Sequence, residues 1–195
     1  MTVIFKYEPD QTIKEQFVTV QSVLEKNNPV ISKIDFDCGL LEQVLDPDNV
    51  LSWGYWIKHH CHCVYGEDLS HHLQAFKPSK AIAVAVNGDF MEVLDKLVIQ
   101  IKVSSNENKK LQLRRSAARK LIRATNILRS EQDNDWPDSL HEYRAKFNSR
   151  YPALAEDMDY LLEISIKPRE SIADFEKRAM AFARWLSCEF NNQKV

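Results

Sequence analysis

Apolar positions along the chain follow two rhythms, a short alternation near the N-terminus and a helical spacing over most of the rest. Thr2–Tyr7 (TVIFKY) alternates and breaks at Glu8-Pro9-Asp10, the pattern of a strand running into a turn. Thr12 is suited to cap a helix whose apolar residues Ile13, Phe17, Val20 and Leu24 recur at helical spacing until Asn27-Asn28-Pro29 stops it. Val30–Cys38 (VISKIDFDC) alternates again, with Ile34, Phe36 and Cys38 on one face and Lys33, Asp35 and Asp37 on the other. Strand, helix and strand with a crossover of this length predict a parallel pair. Gly39 ends the second strand, Leu40–Leu45 reads as a short helix, and Asp46-Pro47-Asp48 as a turn. Beyond them Trp53–Lys58 finishes a helix, Cys61–Tyr65 reads as a short buried strand and Gly66-Glu67-Asp68 turns the chain.

From Ser79 the pattern is helical almost to the end. Ile82, Val86, Phe90 (or Val93), Leu94 and Leu97 make one stripe running toward Val103. A polar break at Ser104-Ser105-Asn106 precedes a second helix over 107–128, with Leu111, Ala118, Ile122 and Thr125 inward. Ser139 opens a third helix through Phe147, Tyr151-Pro152 interrupts, Leu154–Ile166 forms a fourth, and Lys167-Pro168 ends it. The last helix has the most regular stripe: Ile172, Phe175, Ala179, Phe182, Leu186 and Phe190. The expected fold is α+β and mainly α overall: a small partial sheet with helices over 1–75, then an up-and-down helical bundle over 76–195.

Composition narrows the function classes. The 195 residues are 44% hydrophobic and 28% charged, enough for a sizeable core. The formal net charge of -2 exerts no overall pull toward nucleic acid or anionic membrane, so nucleic acid is not an expected partner. No apolar run is long enough for a membrane helix, and MTVIFKYEPD lacks the layout of a secretory signal, so the expected location is cytoplasmic. Four cysteines (Cys38, Cys61, Cys63, Cys188) are irregularly spaced and are expected as free thiols. Only four glycines are present, and neither GxGxxG nor GxxxxGK[ST] occurs.

Three groups carry candidate chemistry. The run His59–Cys63 (HHCHC) holds zinc-type ligands, but it lacks the C-x2-C knuckle and downstream pair that structural zinc sites use, so a helix end with solvated histidines beside small buried thiols is the competing reading. Asp35 and Asp37, two apart on a strand, leave the same face and suit oxygen ligation of a divalent cation; alternatively they are the solvated face of a half-exposed strand. Between Lys109 and Arg123, KKLQLRRSAARKLIR carries seven cations and no acid, with Arg115, Arg119 and Arg123 on one helix face and Lys120 beside them. That stripe fits phosphate neutralisation, or a solvated face paired with acids of neighbouring helices.

The strand KIDFDCG (Lys33–Gly39) and the junction VYGEDLS (Val64–Ser70) resemble the DNA polymerase beta-like nucleotidyltransferases, in the bacterial branch related to aminoglycoside nucleotidyltransferases. The segment KPSKAIAVAVNGDF and the cationic second helix look like the start of that family's bundle. The resemblance implies transfer of a nucleoside monophosphate from a nucleotide triphosphate, with magnesium, to a hydroxyl of a small molecule or protein. Asp35, with Asp37 as its near rival, looks like the third carboxylate, which orients the acceptor and shares a metal; Arg115, Arg119 and Lys120 would contact phosphates. The family's Gly-Ser turn is missing and no glycine precedes Gly39, so Asp35-Phe36-Asp37 does not match the family's primary D-x-D motif, and Thr2–Tyr7 looks like the tail of the strand that carries that motif. The expectation is therefore a truncated chain, or one inactive alone. The alternative is a non-catalytic binding or assembly module that pairs an open strand edge with another chain, including a second copy of itself.

Overall fold

The structure, a computed structural model, describes residues 1–30, 34, 36–168 and 171–193. The protein is mainly helical with one small parallel sheet. The chain divides into two compact units, Met1–Phe76 and Lys77–Val195.

In the first unit, β1 (Thr2–Phe5) pairs in parallel with β2 (Asp37–Leu40), in a register that sets Thr2 opposite Asp37 and Phe5 opposite Leu40. The crossover is α1 (Gln11–Asn27), capped by Asp10, whose carboxylate accepts the Ile13 N–H at 2.8 Å; Thr12 lies inside the helix rather than capping it. α1 meets the sheet through edge-on rings, Phe5 to Phe17 at 5.5 Å and Phe17 to Phe36 at 4.9 Å between centroids.

The second strand starts later than the alternation predicts. Ile34 lies outside it because α1 takes its backbone groups: Glu25 accepts its N–H at 2.8 Å and Gln21 donates to its C=O at 2.5 Å. Gly39 continues the strand instead of ending it. A Cβ there would lie 2.8 Å from Trp53 Cζ2, so glycine is what lets the indole approach the strand this closely. Leu41–Leu45 (α2), a π-helical turn over Val50–Gly54 and Tyr55–His60 (α3) follow. Residues 61–68 have no regular structure, which corrects the expectation of a buried strand at Cys61–Tyr65: Val64 is 89% and Tyr65 96% exposed.

The second unit is a helical bundle of α4 (Lys80–Asn87), α5 (Phe90–Val103), α6 (Glu107–Ala124), α7 (Leu140–Arg150), α8 (Ala155–Ile166) and α9 (Ile172–Asn192). The first expected helix is split into α4 and α5, because the chain leaves helical geometry at Asp89 after the Gly88 N–H closes on the Val84 carbonyl at 2.7 Å. Side chains of Ser79, Asn106, Ser139 and Ser171 accept the first free N–H groups of α4, α6, α7 and α9. α6 is central, touching α4, α5, α7, α8 and α9. Its buried face is Leu113, Ala117, Ala118, Leu121 and Ile122, while Leu111, expected inward, sits at the margin. From α9, Phe175, Ala179, Phe182 and Leu186 are buried, with Ile172 and Phe190 half-buried at the ends.

Candidate functional site

The sheet of the first unit is short and its edges are open. Because Asp37 N–H donates to the Met1 carbonyl, the parallel ladder turns the backbone groups of Asp37 and Gly39 toward β1 and those of Phe36 and Cys38 away from it. Leu40 N–H also faces out and is taken by Gln43 Oε1 at 3.3 Å. Among the described residues no backbone hydrogen bond reaches the outward groups of Phe36 and Cys38. Alongside this edge, under α1, runs a groove of about 440 Å³. Phe5, Ile13, Phe17, Val18, Phe36 and Leu40 give it an apolar lining, and the Lys14–Glu8 ion pair (2.8 Å) marks its rim.

The underside of α1 explains why the groove exists. The helix has the apolar stripe of one that packs on a sheet, yet none of its residues is buried, and Val18 is 65% exposed. Two four-residue strands are narrower than the helix's apolar surface, so part of that surface overhangs the β2 edge. Cys38 lines the groove as a free thiol, its pKa raised first by desolvation and then by the neighbouring Asp37 carboxylate.

Register puts Asp37 on the opposite face of the sheet from Phe36 and Cys38, next to Thr2, whose hydroxyl accepts the Trp56 indole N–H at 2.9 Å. Asp37 is exposed. Asp35, its expected companion as catalytic and metal-binding carboxylate, lies outside the described residues. Among the described residues no three His, Cys, Asp or Glu side chains converge as metal ligands.

The His59–Cys63 run divides among local partners. His59 Nε2 accepts the Phe76 N–H at 2.9 Å, which leaves the proton of the neutral ring on Nδ1. His60 stacks on Trp56 at 5.1 Å and meets the Tyr55 hydroxyl at 2.9 Å, while His71 and His72 pair with Asp68 (3.6 Å) and Glu67 (3.0 Å). Cys61 is half-buried beside the Thr2 hydroxyl at 3.8 Å; Cys63 is exposed, not a buried thiol. A second groove, about 300 Å³, separates β1 from residues 61–69, but its lining includes Lys6, His62, Glu67 and Asp68.

The expected phosphate contacts belong to the second unit. Lys120 is committed elsewhere: its ammonium lies 2.6 Å from the Asp89 carboxylate and 3.3 Å from the Val86 carbonyl. Arg115, Arg119 and Arg123 share the other flank of α6, and no carboxylate among the described residues lies within ion-pair distance of any of them. The Arg119 guanidinium has a lowered pKa, by burial first and then by the Arg123 and Arg115 charges.

The groove was not foreseen from the sequence. Its one signal there was an amphipathic α1 facing only two strand-like runs, an apolar face larger than its cover. Comparison with protein-family models, with curated proteins and with solved structures gives no match.

Proposed function

We propose that the chain is a binding and assembly module whose small sheet is completed by an extended segment of another polypeptide, laid along the outer edge of β2 beneath α1. One observation carries this reading: an apolar groove of about 440 Å³ runs beside a strand whose outward N–H and C=O groups at Phe36 and Cys38 have no backbone partner among the described residues. Added strands gain affinity from main-chain hydrogen bonds and specificity from pockets for alternate side chains. The Phe5, Phe17 and Phe36 rings form such a floor, and an incoming strand with every second residue apolar would cover the overhang of α1.

The test is selection from a displayed random-peptide library against the full chain, with Val18→Glu as counter-target. Val18 is exposed on the groove wall, so a carboxylate there leaves the fold intact and repels an apolar segment. The expected outcome is enrichment of peptides with alternating apolar residues that bind the variant at least tenfold more weakly. Absence of enrichment, or peptides indifferent to the variant, contradicts the reading.

A nucleotidyl-transfer reading retains the support of the parallel β1–α1–β2 unit with Asp37 exposed on its acidic strand. On that reading Asp35, with Asp37 as its near rival, is the carboxylate that shares magnesium, with a hydroxyl acceptor still to be supplied. Titration with ATP and magnesium, followed by calorimetry on wild type and Asp37→Ala, separates the two: micromolar binding abolished by the substitution favours transfer, and its absence favours the module.

A further inference from the structure

The net charge of -2 conceals a division between the two units. Residues 1–76 carry five lysines and arginines against eleven carboxylates, a net of -6; residues 77–195 carry twenty-one against seventeen, a net of +4. Among the described residues of the second unit eight cations lie in ion pairs with nearby carboxylates. Lys96 pairs with Glu92, Lys102 with Glu176, Lys110 with Glu107, Lys120 with Asp89, Arg144 with Asp159, Lys146 with Asp135, Arg150 with Asp133 and Arg178 with Asp157. Arg115, Arg119 and Arg123 have no such carboxylate among the described residues, and they lie together in one row. They recur every four residues on α6, on a flank whose remaining surface residues, Asn108, Gln112 and Ser116, are polar and uncharged. The Arg115 Nε is buried and has no hydrogen-bond partner among the described residues.

Three like charges held on one turn-to-turn row repel one another, which costs stability unless a counter-charge is supplied from outside. We infer that the Arg115–Arg119–Arg123 row of α6 is a docking face for the phosphate backbone of a nucleic-acid strand. The shape of the site selects a polymer over a mononucleotide: the row is a convex ridge about 12 Å long at 1.5 Å rise per residue, whereas a small ligand requires a concave pocket that buries most of its surface. The residue type selects phosphate, because guanidinium groups hold phosphate oxygens through paired, charge-assisted N–H donors. No aromatic side chain stands in the row, so the contact reads the backbone and not the bases.

The experiment is fluorescence anisotropy of labelled oligonucleotides of about 20 nucleotides, as single-stranded RNA, single-stranded DNA and duplex DNA, with the full chain between about 50 and 200 mM salt. Two variants are compared, Arg115→Gln/Arg119→Gln/Arg123→Gln and the single Arg119→Gln, each checked for native circular dichroism. The expected result is binding by the wild type whose log K against log salt slope falls by about 2 to 3 in the triple variant and by about 1 in the single one, with at least tenfold weaker binding of the triple variant. The single variant keeps the test intact if the triple one fails to fold. No binding at the lowest salt, an unchanged slope in Arg119→Gln, or displacement of the oligonucleotide by polyglutamate at equal charge concentration would each overturn the inference.

Discussion

Phe182 and Gly39 show what single positions reveal at the two ends of legibility. Phe182 lies mid-stripe in α9 and packs against Phe147 and Trp185 at 5.5 and 5.9 Å between ring centroids. Its burial was legible because its neighbours along the stripe, Ala179 and Leu186, are apolar. Phe182→Ala is expected to cost about 3 to 5 kcal/mol, while Phe190→Ala, half-buried near the fraying end, costs clearly less. Urea unfolding of both variants checks this, and equal losses would mean that the helix end is as tightly held as its middle. Gly39 was misread as a strand stop, because the close approach of Trp53 is a tertiary contact that no local pattern encodes. Gly39→Ala is expected to destabilise by about 1 to 3 kcal/mol through overpacking, measured in the same assay; a neutral result would mean that the indole shifts freely. Lys120 teaches the same lesson, its Asp89 partner lying 31 residues away.

Among the elements, the helices of the second unit were the most legible, since α4, α6, α7 and α9 begin at polar caps and α9 repeats its apolar positions at regular helical spacing. The exception is the α4–α5 break, hidden because the stripe continues in phase across Gly88-Asp89. α7 buries Tyr143 and Phe147 and carries a cluster of carboxylate contacts on its exposed side. Glu142 accepts the Asp138 N–H and the Ser139 hydroxyl, Lys146 holds Asp135, and Arg144 holds Asp159. Hydrogen bonds from these donors lower all three carboxylate pKa values. A carboxylate lowered on folding contributes stability that is complete above its unfolded pKa, about 4, and is lost as pH falls through the folded value. Acid below about pH 4 is therefore expected to loosen α7 before α6 or α9. Amide exchange across a pH series checks this order, and uniform loosening of all three helices would contradict it.

At the scale of the molecule, the mainly helical chain with one small parallel sheet was legible, as was the β1–α1–β2 crossover. The extent of β2 was not, since it depends on Gln21 and Glu25 of α1 capturing the backbone of Ile34. Nor was the groove, because a sequence displays an apolar face but not how much of it two short strands leave uncovered. No helix among the described residues is long and apolar enough to cross a membrane. The account's central claim is that the β2 edge under α1 receives an extended segment. It is tested most directly by hydrogen–deuterium exchange over residues 34–45 of the full chain, with and without a saturating library-selected peptide. The expected result is slower exchange at the Phe36 and Cys38 amides together with reduced alkylation of the exposed Cys38 thiol. Protection confined to β1 or to the bundle, or none at all with peptide bound, would contradict the account.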